Sequence, residues 1–501
     1  MSLRAGVMKG AASLGGVNLA ASILNAVALL VLARLLTPDD FGMVAIATAV
    51  LSVVQSSTEM SLNNALIRKD EVDDAHIDTV WTMTLIRSAL ICFIFVVAAW
   101  PLSIAYSSEE LIPVLLVSGL TGAIIALQNP KIWLVTKQMS FGPLALSQFL
   151  RRALGVIFAV GFALLIGSYW AIILGYLAGA IGVAAISYIL IPYRPRFSLL
   201  HIKEIWSFSG WVFLSQLFQT LNWRADQLIV GMFVPKMQLG IYAMADNLAV
   251  IPARETVHPI RYALFPGLAN ISGDMARMRQ SLLLSQATIA LLVAPLGIGL
   301  ALVAEPVVEL ALGAQWAETV PFIQLFCLAY TVGILSIGLH PVSMALGETK
   351  ILFIRQLLCI CIKIPAILLG LFTGGLIGAA IGKLVSDVMS AAIEFVLIKR
   401  LLDLPIQRQF AVHAFTLIGL SAMAIAVIVL ADALSALALP AVAELAMLST
   451  VGASVYCAAI IMGWLALGRP EGSVSVLLDA IKRVVQSPGA KVFSSRNKTE
   501  A

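Results

Sequence analysis

The chain has 501 residues, 60% of them hydrophobic and 12% charged, with a formal net charge of +5 and a mean hydropathy of +0.98. That mixture excludes an ordinary soluble protein, in which about 25% of residues are charged, and accommodates many membrane crossings of about 20 residues each. The small net charge and the lack of a long basic run argue against a nucleic-acid partner.

The start carries Arg4 and Lys9 but no small-residue cleavage site, so the first apolar span reads as a retained signal anchor. Apolar runs between charged or turn-rich breaks predict an all-α polytopic membrane protein of about fourteen transmembrane helices. The first runs from near Ser13 to Leu36 and stops at Thr37-Pro38-Asp39-Asp40, the second leads to Arg68, and the third spans Thr79 to Pro101. The fourth covers Leu111 to Lys131, and the fifth and sixth flank Gly167-Ser168 and end at Pro192. Beyond the basic stretch Arg194 to Lys203 come Ser209 to Val234, Gly240 to Leu264, Leu282 to Glu305 and Pro321 to Leu346. Ile351 to Phe372 and Leu376 to Ile398 are the eleventh and twelfth. Two more, near Phe410 to Leu430 and Ala441 to Leu467, precede a polar tail.

With the N-terminus inside, Arg68/Lys69, Lys137, Arg194/Arg196/Lys203, Arg277/Arg279, Lys350, Lys399/Arg400/Arg408 and the basic tail share one side. The other side receives Asp39/Asp40, Glu109/Glu110, Glu305/Glu309/Glu318, Asp432 and Glu444, with Lys236 as its loop lysine. This positive-inside sorting predicts an even number of spans with both ends cytoplasmic. A weak internal repeat adds to it. Phe41-Gly42-Met43-Val44-Ala45 matches Leu239-Gly240-Ile241-Tyr242-Ala243, and Gly167/Gly175 match Gly374/Gly382. Two parallel six-helix lobes, 1–200 and 201–403, are expected around a cavity, followed by two helices within 404–468 and a cytoplasmic tail at 469–501.

Several ions lie inside the spans: Arg87, Arg224, Asp226, Lys363, Lys383 and Asp387. Each would cost at least about 2.5–3.5 kcal/mol near the bilayer centre, so such residues face a cavity or a partner. In the seventh helix Ser215, Gln219, Asn222 and Asp226 share one face, beside a row of Gln216, Thr220 and Arg224. That breadth favours cavity lining over an interhelical hydrogen-bond seam. The eighth carries Asp246 and Asn247, then Arg254 beside Glu255, His258 and Arg261; Arg261 reads equally as snorkelling. In the twelfth, Lys383 and Asp387 are spaced for an i,i+4 ion pair, on a face with Ser390 and Glu394. Lys363 has no local acid, which makes it and Arg224 the leading sites for an anion. Arg151, Arg152 and Arg34 read as snorkelling, and Asn18, Ser22 and Asn25 line one face of the first helix.

No catalytic constellation emerges: the chain has no P-loop and no large loop domain, so an enzyme is not expected. The set Asp70, Glu71, Asp73, Asp74, His76 and Asp78 reads as a solvated loop rather than a glycosyltransferase metal site. Five cysteines in apolar segments and five scattered histidines argue against disulfides and against a metal site.

The stretch Leu32-Ala33-Arg34-Leu35-Leu36-Thr37-Pro38-Asp39-Asp40-Phe41-Gly42 resembles the first-turn signature of Wzx-type polysaccharide flippases, of the multidrug/oligosaccharidyl-lipid/polysaccharide exporter superfamily. Asp226-Gln227-Leu228-Ile229-Val230-Gly231 and Leu239-Gly240-Ile241-Tyr242-Ala243-Met244-Ala245 are similar to it in the second half. The exopolysaccharide branch of the succinoglycan and colanic-acid kind is the nearest in character. The resemblance implies two six-helix lobes, two extra helices, and alternating-access transfer of a polyprenyl-pyrophosphate-linked oligosaccharide across a bacterial inner membrane. It implies cationic cavity residues for the pyrophosphate, a role open here to Arg224, Lys363, Arg87, Arg254 and Lys383, with Asn18, Asn25, Gln219 and Asn222 as polar lining. No cofactor is implied, although Asp226, Asp246 or Asp387 would suit proton or sodium coupling. Polysaccharide polymerase and chain-length or export proteins are the implied partners. An ion-coupled drug exporter of the same superfamily and a peptidoglycan-precursor flippase are the alternatives.

Overall fold

The computed structural model describes residues 3–58, 72–137, 142–202, 210–256, 267–271, 273–435, 439–469 and 472–486. Among these every regular element is a helix, with no strand. The first half builds α1 (Leu3–Leu35), α2 (Pro38–Thr58), α3 (Asp74–Ala105), α4 (Leu111–Ala126), α5 (Lys131–Lys137), α6 (Gly142–Ile166) and α7 (Trp170–Leu190). After a non-helical strap over 191–200 come α8 (Gly210–Phe233) and α9 (Lys236–Ala249). Then follow α10 (Met275–Leu302), α11 (Ala304–Ala311), a 3₁₀ turn (Ala314–Thr319), α12 (Val320–Leu335), α13 (Leu339–Ala345) and α14 (Thr349–Leu402). The chain closes with α15 (Ile406–Ala411), α16 (Ala414–Ser435), α17 (Ala441–Ala466) and α18 (Ser473–Gln486). The last is a helix within the segment that the sequence reads as a polar tail.

Nine described helical segments are long and apolar enough to cross a membrane, and Ala20–Leu35 and Leu111–Ala126 are shorter apolar helices. Large apolar side chains stand outward, such as Phe93, Val96, Val97 and Trp100 on α3 and Leu164 and Leu165 on α6. Such surface suits hydrocarbon rather than water. The 54-residue α14 is one of the nine, but its backbone leaves the helix at Gly374 and Gly375 (φ 60° at the latter). It is therefore a hairpin, with Gly370 and Gly378 so close that a Cβ on either would lie 2.0 Å from the other's carbonyl oxygen.

The chain divides into two compact units. The first comprises residues 1–249, 307–326 and 349–389. Inside it the two repeat motifs cross each other reciprocally. A Cβ on Gly42 would sit 1.9 Å from the carbonyl oxygen of Lys236, and one on Gly240 would sit 1.8 Å from that of Pro38. Each glycine thus meets the residue four places before the other, the relation expected of a pseudo-two-fold contact. The glycines of the second matched pair also play equivalent parts. A Cβ on Gly175 would lie 2.6 Å from Ala159 Cβ, and one on Gly382 2.2 Å from the Ala366 carbonyl. Both partners stand sixteen residues back along the chain, across a glycine turn.

Trp316, fully buried, donates from Nε1 to the Ala33 carbonyl at 2.8 Å and meets Phe41 edge-on. Gln315 Nε2 donates to Ala33 O at 2.7 Å, so the 3₁₀ turn satisfies carbonyls at the end of α1. Arg34, expected to snorkel, instead donates to the backbone carbonyls of Leu310 and Ala311 at the end of α11. A cation at a helix C-terminus is favourably placed against the dipole.

The second unit comprises 250–306, 327–348 and 390–501. In it α16 and α17 pack as a hairpin, with Gly419 against Tyr456, whose hydroxyl donates to the Leu291 carbonyl of α10 at 2.8 Å. Gln409 Nε2 bridges the Phe395 and Leu404 carbonyls at 3.2 and 3.0 Å, tying α15 back onto the end of α14.

Candidate functional site

Within the first unit the polar face of α8 meets α9 and both arms of the α14 hairpin. Asp226 is fully buried, and Lys383, Asp246 and Lys363 are nearly so. Lys383 Nζ donates to Asp226 Oδ2 at 2.8 Å and lies 3.6 Å from Asp246 Oδ1, over the ring of Phe326. The i,i+4 spacing on α14 points to Asp387, whereas these two partners come from other helices. The spacing along a single helix is overridden because two deeper acids on α8 and α9 share its pocket. Tyr242, from the second repeat motif, points its hydroxyl at Asp226 Oδ2 at 3.4 Å.

Lys363 is not isolated either. Its Nζ donates to the Asn222 carbonyl at 2.8 Å, and its charge acts on Asp226. Two lysines and two aspartates thus balance formally within one buried cluster. Burying four ions is costly unless each is paired and hydrogen-bonded, and here pairing and hydrogen bonds are both present.

Gln227, which the sequence reading quotes within a motif but does not single out as a site residue, joins this cluster to α8's accessible face. Its Nε2 lies 3.4 Å from Asp246 Oδ2, while its Oε1 accepts from Arg224 at 3.1 Å. Arg224 is half-buried and has no acidic partner among the described residues. Its charge and that of Arg151 both reach the hydroxyl of Tyr176 on α7, a second residue the sequence gives no reason to single out. Arg151 itself donates to Gln148 Oε1 at 3.2 Å. A half-buried guanidinium with only an amide partner, such as Arg224, is suited to meeting an anion.

The other proposed site residues are placed differently. Arg87 donates to Thr58 Oγ1 and to the Gln55 carbonyl at 3.3 and 3.1 Å, where it serves the C-terminal turn of α2. Arg254, in the second unit, is exposed and pairs with Glu255 at 2.9 Å. Asn222 donates to Gln356 Oε1 at 3.2 Å, whereas Gln219 and Asn25 are exposed. Asp387 is half-buried and one turn beyond Lys383. The side chains of Asn18 and Ser215, with His258, Arg261 and the acids Asp70 and Glu71, lie outside the described residues. A hollow at the α3–α4 turn is lined by Trp100, Ser107 and Glu109 and by none of these cations.

Known proteins resemble this chain in sequence and in fold. The profile of the family described as "Polysaccharide biosynthesis protein" matches residues 31–321. The chain is 27% identical over 360 residues to the succinoglycan biosynthesis transport protein ExoT of Rhizobium meliloti (strain 1021), covering 70% of this chain and 72% of that one. It is 23% identical to the lipopolysaccharide biosynthesis protein WzxC of Escherichia coli (strain K12), covering 76% of this chain and 78% of the relative. Among solved structures, the lipid II flippase MurJ in an inward closed conformation superposes with a TM-score of 0.73 at 15% identity, over 91% of this chain and 99% of that one. That likeness establishes the fold. The chain is a multi-pass membrane protein that belongs to the polysaccharide biosynthesis protein family, as its resemblance to Wzx-type flippases implies.

Proposed function

We propose that this protein is a flippase that carries a polyprenyl-pyrophosphate-linked oligosaccharide from the cytoplasmic to the periplasmic leaflet by alternating access. Its product would feed exopolysaccharide or surface polysaccharide synthesis. The observation that carries the residue assignment is the division of labour among the intramembrane cations. Lys383 and Lys363 are committed to Asp226 and its neighbours, whereas the partner seen for Arg224 among the described residues is an amide, that of Gln227. Arg224 is therefore the cation that meets the pyrophosphate. Gln227 links that event to the buried acids. An anion moving outward gains about 2.3 kcal/mol per charge per 100 mV of interior-negative potential, provided no compensating ion moves with it.

The finer architecture belongs to the same reading: about fourteen spans with both termini cytoplasmic, two six-helix lobes around a central cavity, and an inner-membrane location. A polymerase and chain-length proteins would take the cargo onward. Asp226, Asp246 and Asp387 are the acids for ion coupling if the cycle uses it. Neither rival is favoured. A cationic drug would be repelled by Arg224 and Arg151, and the relatives named for polysaccharide synthesis cover most of the chain. The test is complementation of a flippase-deficient strain with Arg224→Gln. Export should fall at least tenfold while membrane level and thermal stability of the purified protein hold. Undiminished export would remove Arg224 from the head-group site.

A further inference from the structure

The strap over 191–202 is held along the first turns of α3 by side chains of that helix. Asp78 Oδ1 accepts from the Tyr193 hydroxyl at 2.5 Å and from the Arg196 amide at 3.3 Å. Thr82 Oγ1 accepts from the Ser198 amide at 3.0 Å, Phe197 meets Trp81 edge-on, and Ile202 packs against the Val80–Met83 pair. These contacts deliver His201 to the N-terminus of α3, where its ring stacks on buried His76 with centroids 3.5 Å apart. Asp73 caps α3, accepting from the His76 amide at 2.8 Å and contacting His76 Nδ1 as well. One potential ligand atom from each of Asp73, His76 and His201 falls within 4.8 Å of the others.

We propose that Asp73, His76 and His201 form a binding site for a borderline divalent transition metal of the Zn2+ type, and that the ion locks the strap to α3. Two imidazoles and one carboxylate match the preference of such ions and leave a fourth position for water. Mg2+ and Ca2+, which take oxygen ligands, are excluded by the same donor set. In a tetrahedral site the donors stand roughly 3.3 Å apart, given metal–ligand distances of about 2.0–2.1 Å. The widest-spaced donors need only close by about an ångström and a half at most, while the Asp73–His76 Nδ1 contact must open and exchange its proton for the ion. The parallel rings must also swing out of their stack, since an ion cannot lie in both planes. His201 is half-buried and Asp73 exposed, positions whose side chains can supply that movement. The N-terminus of α3 opposes a cation through its dipole, and the Asp73 charge offsets this. Micromolar rather than nanomolar affinity is the consequence. The histidines are far apart in sequence, which is why spacing alone conceals the set.

The experiment uses untagged full-length protein in detergent, stripped with chelator and titrated with ZnCl2 and CoCl2. Wild type should bind one equivalent of Zn2+ at micromolar concentration and ignore Mg2+ and Ca2+. Co2+ should develop the intense visible absorption of a four-coordinate site. His201→Ala and Asp73→Ala should each weaken Zn2+ binding at least tenfold and abolish the cobalt spectrum. Zn2+ should slow tryptic cleavage after the exposed Arg196 at least threefold in wild type and leave the rate unchanged in His201→Ala. His201→Ala, at a partly exposed position, keeps the test decisive should His76→Ala fail to fold. Wild type that binds no Zn2+ below millimolar, or His201→Ala that binds it equally well, overturns the proposal.

Discussion

Lys383 is the residue on which the buried cluster turns, because it serves two aspartates at once. Removing one partner of a buried ion pair leaves an uncompensated charge and typically costs about 3–5 kcal/mol, whereas removing both is close to neutral. Lys383→Met should therefore lower the melting temperature of the purified protein markedly, and adding Asp226→Asn should restore most of the loss. Equal melting temperatures for wild type and Lys383→Met would show that the ammonium is not the cluster's counter-charge. A second expectation at this scale concerns Asp73, outside the spans. The His76 amide, and then its ring, hold the Asp73 carboxyl below the ordinary carboxylate range. A carboxyl with a depressed folded-state pKa stabilises above its unfolded value, and that contribution is lost as pH falls through the folded one. The difference in hydrogen-exchange protection at the start of α3 between wild type and Asp73→Ala should be full at neutral pH. It should vanish in acid below the usual carboxylate range.

At the scale of elements, the crossing of α2 and α9 leaves no room for any side chain. A Cβ under 2 Å from a carbonyl oxygen forces the two backbones apart, since no rotamer can relieve a clash with main chain. Gly42→Val and Gly240→Val should each abolish export, and because the contact is reciprocal their effects should be equal within a few fold. An export assay in which one valine is harmless would break the pseudo-symmetry. These glycines were legible in the sequence, as were the α14 hairpin at Gly374-Gly375 and the polar face of α8. Their signals are local: a motif, a break or a helical period. The partner of Lys383 was not legible. Asp226 stands 157 residues away, and periodicity sees only residues on the same helix, so it pointed to Asp387. Gln227 and Tyr176 were hidden for the same reason, as neither carries a charge and both acquire importance only through neighbours on other elements. Arg34 and Arg87 show a role that the sequence pattern does not carry: both donate to backbone carbonyls at helix ends.

For the whole molecule, sidedness decides whether the cationic patch can meet its cargo from the cytoplasm. Positive-inside sorting is a statement about parity: each loop sits opposite the next, so one miscounted span inverts everything beyond it. Single cysteines at exposed positions test that directly, in a background where the five native cysteines are replaced. Glu109→Cys and Asp432→Cys should react with a membrane-impermeant maleimide in intact spheroplasts. Lys350→Cys and Asp403→Cys should react only after lysis, since both positions are exposed yet predicted to face the cytoplasm. The order of sites matters more than any one result. Glu109 and Lys350 on opposite sides require an odd number of crossings between them, and Asp403 and Asp432 require one more. Labelling of Asp403→Cys from outside would leave the α14 hairpin and the positive-inside count irreconcilable. It would also place the basic loop Lys399/Arg400/Arg408 in the periplasm, against the sorting that orients the protein.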